Sequence, residues 1–212
     1  MNYRLFKRSQ NNRLLLVFAG WGMDDTPLTP LLGERNSAIV WDYTDLSTPL
    51  PFLSTFTEIH LIAWSMGVWA ATQVLNTFPL ASATALNGTP FPIDDTRGIP
   101  NAIFDATLNE FSTKGLERFR RRMCGSTEAL NTFLKQAPMR TLEDLRCELA
   151  SLSHAIRTNP SQPFHWTRAI ACEQDRIFPC AHQCNAFPTA LVRPGAHWMP
   201  ELFQKLLHEE NL

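Results

Sequence analysis

The chain has 212 residues, 44% of them hydrophobic and 18% charged, which suits one domain with a sizeable buried core. The formal net charge of -1 argues against a generally basic surface, so binding to nucleic acid is not expected. No apolar run is long enough to cross a bilayer, and the polar stretch 1–13 lacks the apolar core of a signal peptide, so no membrane association is expected.

The first 90 residues alternate short apolar strands with connecting segments. The continuous apolar run Leu14–Ala19 predicts a strand buried on both faces, as in a parallel sheet. Further short strands are predicted at 38–41, 59–63 and 82–86. The connections 23–33 and 42–57 are rich in Pro, Ser or Thr and predict loops where helices would be usual. The pattern therefore predicts an α/β fold with a mostly parallel sheet and several flanking helices replaced by loops.

From residue 105 to about 157 the pattern changes to helices without strands, with leucines at 142, 145, 149 and 152 in helical spacing. Strands resume at 166–172 and 190–192, and a closing helix is predicted at 199–208. We therefore predict a core made of residues 1–90 and 163–212, with residues 91–162 inserted as a helical lid.

A serine lies at the junction between a predicted strand and a predicted helix, in the stretch Ala63–Trp64–Ser65–Met66–Gly67. A strand, a tight turn with serine at its tip and a helix form the nucleophile elbow of α/β-hydrolases, whose usual pattern is G-x-S-x-G. Ala63 departs from that pattern, but alanine is the next smallest residue. The alternative is a serine that caps a helix after a buried strand.

An acid and a histidine follow later strands in the order that α/β-hydrolases use. Asp175 comes after the strand 166–172, and His197 comes after the strand 190–192. We predict that Ser65 is the nucleophile, His197 the general base and Asp175 the acid that orients it. A solvated loop aspartate is the alternative for Asp175, and Glu173 is the nearest competing acid.

An oxyanion formed at the serine needs two N–H donors. The residue after the nucleophile supplies one and the loop after the first core strand supplies the other, which points to the amides of Met66 and Trp21. The alternative for Gly20–Trp21–Gly22 is an ordinary glycine turn with a packed tryptophan.

The cysteines indicate a reducing compartment and no metal site. Five cysteines, an odd number, fit reduced thiols better than a disulfide framework, so a cytoplasmic location is expected. Cys172, Cys180, His182 and Cys184 do not have common zinc-site spacings, and Cys172 lies on a predicted buried strand. No metal is therefore predicted.

Four stretches resemble one family over nearly the whole chain: F-A-G-W-G near residue 20, A-W-S-M-G at Ser65, N-G-T-P-F-P-I-D-D-T-R-G-I-P from Asn87, and P-G-A-H-W ending at Trp198. Together they resemble the BioG family of pimeloyl-acyl carrier protein methyl ester esterases of biotin synthesis. The stretch from Asn87 is the most specific of the four, because generic hydrolases do not carry it.

The resemblance implies a serine carboxylesterase with a helical lid and no cofactor. Its substrate would be pimeloyl-acyl carrier protein methyl ester and its products pimeloyl-acyl carrier protein and methanol. The alternatives are a general carboxylesterase or thioesterase on the same scaffold, or an inactive hydrolase-fold binding protein. The sequence does not fix the oligomeric state, for which a monomer is our expectation.

Similarity to the functionally equivalent BioH esterases implies roles for lid residues. The stretch Lys114 to Phe119 matches a lid segment there, which implies that Lys114 and Arg118 contact the acidic carrier protein. Two basic residues of the BioH lid fall on Leu130 and Leu134 here, a loss for which Arg120, Arg121, Arg122 or Lys135 could compensate. The implied lining of the acyl pocket is Trp64, Met66, Phe91, Phe104 and Phe119.

Overall fold

The computed structural model describes residues 1–209. Within that range one sheet has the strands Asn2–Phe6 (β1), Arg13–Phe18 (β2), Ser37–Trp41 (β3), Glu58–Trp64 (β4), Ser82–Leu86 (β5), Arg168–Cys172 (β6) and Leu191–Arg193 (β7). Their order across the sheet is β1-β3-β2-β4-β5-β6-β7. The strands β2 to β7 run parallel, and β1 pairs antiparallel with β3 at one edge.

The helices within the same range are Met66–Val74 (α1), Asn101–Asn109 (α2), Thr113–Cys124 (α3), Thr127–Leu134 (α4), Leu142–Thr158 (α5), Cys180–Ala186 (α6) and Pro200–Glu209 (α7). Four of them, α2 to α5, lie between β5 and β6 in the chain. Their buried residues Phe104, Phe133, Leu145 and Leu149 belong to the same apolar cluster as the sheet. A separate lid over residues 91–162 therefore stays a proposal.

The mostly parallel sheet with loops in place of some flanking helices is confirmed. Between β2 and β3, and again between β3 and β4, the chain forms only short 3-10 helices, at Thr29–Leu31 and Pro51–Thr55. These connections nevertheless bury apolar side chains against the sheet, namely Leu28, Leu32, Tyr43, Phe52 and Leu53. A loop with well-spaced apolar residues thus covers the sheet as a helix would.

Two elements were not predicted. Strand β1 is exposed over Asn2, Tyr3 and Arg4 and only partly buried beyond them, so it lacks the continuous apolar run that marks the inner strands. Helix α6 has only seven residues, which is too short for a helical period to show. The helix predicted to follow Ser65 ends at Val74, and Pro79 disfavours helical backbone at Phe78.

Across residues 1–209, none of the helices combines the length and the apolar character needed to span a lipid bilayer.

The topology brings the functional candidates to one edge of the sheet. The carboxyl ends of parallel strands meet there, which is where open α/β sheets bind ligands. The loop after β2 carries Trp21, β4 leads into Ser65, and the loops after β6 and β7 carry Asp175 and His197.

Candidate active site

Ser65 lies in a strained turn between β4 and α1, with φ 60° and ψ -127°. A side chain at either nearby glycine would collide with the backbone: a Cβ would lie 2.4 Å from the Phe18 carbonyl oxygen at Gly67, and 2.2 Å from the Ser65 carbonyl oxygen at Gly88. Ala63, by contrast, is accommodated with no exposed surface. The A-W-S-M-G stretch therefore forms an elbow despite its alanine.

Ser65, His197 and Asp175 form one hydrogen-bonded chain. The Ser65 Oγ lies 2.9 Å from Nε2 of His197, and Nδ1 of His197 lies 2.8 Å from Oδ2 of Asp175. A carboxylate only accepts hydrogen bonds, which assigns the ring hydrogen to Nδ1 and leaves Nε2 free to accept from the serine. All three residues are buried. This is the arrangement that a serine nucleophile needs for its activation.

The Asp175 carboxylate is held from several sides. Its Oδ1 accepts the N–H groups of Ile177 at 2.8 Å and Phe178 at 2.9 Å, and its Oδ2 also accepts from the side-chain amide of Gln183 at 3.1 Å. Gln183 lies on α6 and was missed from the sequence, because that helix gave no signal there. The competing acid Glu173 is exposed and does not bond to His197.

The backbone around His197 is fixed by two further side chains. The indole of Trp64 and the amide of Asn87 each donate a hydrogen bond to the carbonyl oxygen of His197, both at 3.0 Å. The Asn87 amide also donates to the Ala196 carbonyl, while its Oδ1 accepts the N–H of Cys172 at 2.8 Å. Asn87 thus joins the ends of three strands, a role that its place in the N-G-T-P stretch did not reveal.

The two expected oxyanion donors belong to residues beside the serine. Met66 is the first residue of α1, so its N–H has no partner within the helix. The N–H of Trp21 finds no acceptor among the described residues. Both residues line the cleft that contains Ser65. Their role as the oxyanion hole stays a prediction, and both N–H groups lack a backbone acceptor among the described residues.

The cleft above Ser65 is narrow and mostly apolar. Of the expected lining residues, Met66, Phe104 and Phe119 are present, together with the expected oxyanion donor Trp21. The others are Ile99, Ile103, Thr107, Arg122, Leu149, Arg176 and Ile177. About 30 Å³ of the cleft admits a water-sized sphere, space for only about two water molecules.

Two residues expected in the acyl pocket do not line this cleft. Trp64 is 1% exposed and packs behind the site against His197, Trp198 and Phe203. Phe91 belongs to a loop that folds onto itself, where the guanidinium of Arg97 lies 3.7 Å from the centre of its ring. Sequence position could not show this, because the direction of each ring depends on the packing of the surrounding elements.

The basic residues of α3 divide into two groups. Lys114, Arg118 and Arg121 are exposed, as docking to a partner requires. Arg118 also lines a groove of about 350 Å³ between α2 and α3. Arg122 lines both this groove and the Ser65 cleft, and its Nε is buried without a partner among the described residues. Burial, and then Arg118, lower the pKa of Arg122. Arg122 therefore lies at the junction of groove and cleft and not on the outer face.

The cysteines do not assemble into a site. Cys172 is buried on β6, and Cys180 and Cys184 lie one helical turn apart on α6. Burial and the nearby Cys184 raise the pKa of Cys180 to about 11, which keeps it a thiol at neutral pH. No group of three or more His, Cys, Asp or Glu residues in the described range is arranged to hold a metal ion.

The sheet, the elbow and the buried Ser–His–Asp chain together define an α/β-hydrolase-fold protein. The family model for the pimeloyl-ACP methyl esterase BioG matches residues 1–210, and the chain belongs to that family. The resemblance inferred from the four sequence stretches is thus confirmed, and the family is of the esterase type.

Relatives of known structure agree with this assignment. The crystal structure of BioG from Haemophilus influenzae is 33% identical and covers 96% of this chain and 97% of its own, with a TM-score of 0.89. A lipase-esterase related protein from Clostridium acetobutylicum has a TM-score of 0.67 and covers 99% of this chain and 97% of its own. At 12% identity, that second likeness shows the fold alone.

A curated relative has a different name. The malonyl-[acyl-carrier protein] O-methyltransferase of Bacteroides fragilis is 48% identical over 176 residues, which are 82% of this chain and 36% of that protein. This chain therefore spans only about a third of that relative.

Proposed function

We propose that this protein is a serine carboxylesterase that hydrolyses the methyl ester of pimeloyl-acyl carrier protein methyl ester in biotin biosynthesis. The observation that carries the proposal is the Ser65 hydroxyl, hydrogen-bonded to His197 and opening into an apolar cleft in a chain of the BioG family. An apolar cleft suits the methylene chain of the substrate. A chain that ends in a free carboxylate would not enter the cleft easily, because burying an unpaired charge is costly.

The proposed mechanism uses the side chains in their observed order. Ser65 Oγ attacks the ester carbonyl while Nε2 of His197 takes its proton, and Asp175 stabilises the imidazolium. The amides of Trp21 and Met66 bind the oxyanion of the tetrahedral intermediate. His197 then protonates the departing methoxide, so that methanol leaves and the acyl group remains on Ser65. A water molecule activated by His197 releases pimeloyl-acyl carrier protein by the reverse sequence.

The groove between α2 and α3 is the proposed path of the carrier's prosthetic arm. It shares Ile103, Thr107 and Arg122 with the Ser65 cleft, so a flexible arm lying in it would deliver its acyl end to the serine. The exposed Lys114, Arg118 and Arg121 would meet the acidic carrier protein outside, where complementary charge speeds encounter.

The name of the Bacteroides fragilis relative is consistent with a reaction that precedes the proposed ester hydrolysis. We infer that methyl transfer belongs to the part of that protein that this chain does not match. A methyltransferase on a carrier-bound acid creates the ester that an esterase later removes. A single chain with both regions would bring together the methylation of a carrier-bound acid and the later removal of that methyl ester.

Mass spectrometry of the carrier protein tests the proposal. Incubation with pimeloyl-acyl carrier protein methyl ester should exchange the ester methyl for hydrogen and leave the thioester intact, and S65A should leave the substrate unchanged. Release of monomethyl pimelate with a free carrier thiol would instead identify a thioesterase. No product and no labelling by a fluorophosphonate would identify an inactive binding protein.

A general carboxylesterase would differ from the proposed enzyme in its substrate preference. It would cleave free dimethyl pimelate about as efficiently as the carrier-bound ester, whereas the proposed enzyme should prefer the carrier-bound form through the α3 face. We place the enzyme in the cytoplasm, since its five cysteines are all free thiols, as is usual in reducing compartments. A monomer stays our expectation.

A further inference from the structure

The loop that carries the expected oxyanion donor is bonded to helix α5. The indole Nε1 of Trp21 donates to the carbonyl of Leu145 at 3.0 Å, and the N–H of Gly22 donates to Oε2 of Glu148 at 3.2 Å. Both acceptors lie on α5, which is far from Trp21 in the chain. The mechanism above uses neither of them.

Glu148 reaches both sides of this loop. Its side chain is fully buried, and its Oε1 accepts the N–H of Tyr43 at 3.0 Å. The hydroxyl of Tyr43 in turn donates to the carbonyl of Ala19 at 2.7 Å. One carboxylate thus holds Gly22 directly and Ala19 through Tyr43, which are the residues that bracket Gly20 and Trp21.

A buried carboxylate is costly unless it is paired and fully hydrogen-bonded. Arg140 pairs with Oε2 of Glu148, donates to the carbonyl of Met23 at 3.3 Å, and lies 3.1 Å from Oδ1 of Asp42. Burial raises the pKa of Glu148, and Arg140 opposes that shift. Every partner of the carboxylate thus belongs to, or touches, the chain around the oxyanion loop or the residues after β3.

We propose that Glu148 is a positioning residue of the oxyanion hole, and that α5 is a fixed part of the active site. Glu148 holds the Gly22 N–H directly and the Ala19 carbonyl through Tyr43. These belong to the peptide units on either side of the one that carries the Trp21 N–H, so Glu148 restricts the direction of that N–H. Donors that are aimed in advance stabilise the transition state more than the bound ester, so the interaction should act on kcat and not on KM. The inference rests on the proposed serine hydrolase mechanism but not on the identity of the carrier substrate.

The test is hydrolysis of p-nitrophenyl acetate by E148Q, with D42N as the matched control. The side-chain amide of E148Q would have only one acceptor oxygen, so its NH₂ group must face the N–H of either Gly22 or Tyr43. We expect E148Q to lower kcat about tenfold or more, with KM within about twofold. The rate of Ser65 labelling by a fluorophosphonate should fall in parallel, while the final labelled fraction stays at that of wild type. D42N removes the negative charge that pairs with Arg140 without touching Gly22, so its kcat should stay near wild type.

A double variant guards against loss of folding. E148L with R140M removes the whole ion pair and leaves no unpaired buried charge, a change that proteins often tolerate. It should show the same kcat loss with full final labelling. Wild-type kcat in either folded variant, or a loss confined to KM, would overturn the positioning role. A wild-type protein that neither hydrolyses the ester nor reacts with the fluorophosphonate would instead refute the serine mechanism, and the inference with it.

Discussion

The indole of Trp64 donates a hydrogen bond of 3.0 Å to the carbonyl oxygen of His197, 133 positions further along the chain. The residue that precedes the candidate nucleophile thereby holds the backbone of the candidate base. This bond fixes the end of β4 to the loop after β7. It therefore helps to set the distance from Ser65 to His197.

Replacing Trp64 by phenylalanine should therefore reduce activity as well as stability. W64F keeps an aromatic ring but loses the bond and part of the packing, and we expect a loss of about 2 kcal/mol and a several-fold lower kcat. Urea unfolding and p-nitrophenyl acetate hydrolysis measure the two effects. W166F is the matched control, because the buried Trp166 Nε1 has no hydrogen-bond partner in the described part of the chain. A W64F enzyme as active as W166F would show that the bond does not position His197.

The triad substitutions should abolish turnover while the protein stays folded. S65A and H197A remove the nucleophile and the base, and D175N no longer fixes the histidine tautomer, which costs roughly four orders of magnitude in such enzymes. Steady-state hydrolysis and circular dichroism measure activity and folding. E173Q should remain near wild type because Glu173 is exposed. Near-normal activity of D175N would require another acid, with Glu173 the first to test.

Charge reversal on α3 should affect the carrier substrate alone. K114E with R118E should raise KM for the carrier-bound ester strongly, because both side chains are exposed and share one helix face. Cleavage of p-nitrophenyl acetate should change little. Activity of the wild type on the carrier should also fall as ionic strength rises, because exposed charges are screened.

A second pair of substitutions controls for net charge. K7E with K205E changes the charge equally at exposed sites outside α3, and should leave KM for the carrier substrate near wild type. Equal losses of both substrates in the α3 variant would mean that the helix itself was damaged. No loss on the carrier would move the docking surface to Arg121 and Lys135 or away from this helix.

Asp94 should make stability depend on pH at the acid end. Burial acts to raise its pKa, but hydrogen bonds from Arg97 and Thr96 outweigh this and hold the pKa of Asp94 well below its usual range. A depressed folded-state pKa adds stability above the unfolded value of about 3.9, and that stability is lost as the pH falls further. D94N should thus be less stable than wild type at pH 7, and the difference in stability should be smaller at about pH 3. Urea unfolding at both pH values measures it, and a constant difference would contradict the ionic origin.

Local sequence was sufficient to predict the elbow turn, the parallel core and the chain order of Ser65, Asp175 and His197. Each depends on short-range features: apolar runs for β2, β4 and β5, and a close-packed turn that only small residues such as Gly67 permit. The strand ends then place Ser65, Asp175 and His197 at one edge of the sheet, because parallel strands share their direction.

The residues that hold these groups in place could not be predicted in the same way. Asn87, Gln183 and Glu148 are ordinary polar residues in their own segments, and their roles come from partners far along the chain. The inward turn of Arg122 and the outward placement of Phe91 likewise depend on how helices and loops pack. Periodicity and motif spacing describe residues that are close in the chain. A buried polar group is stable only where it finds hydrogen-bond partners, and here those partners are distant in the chain, so the packing of the whole domain decides which residues pair.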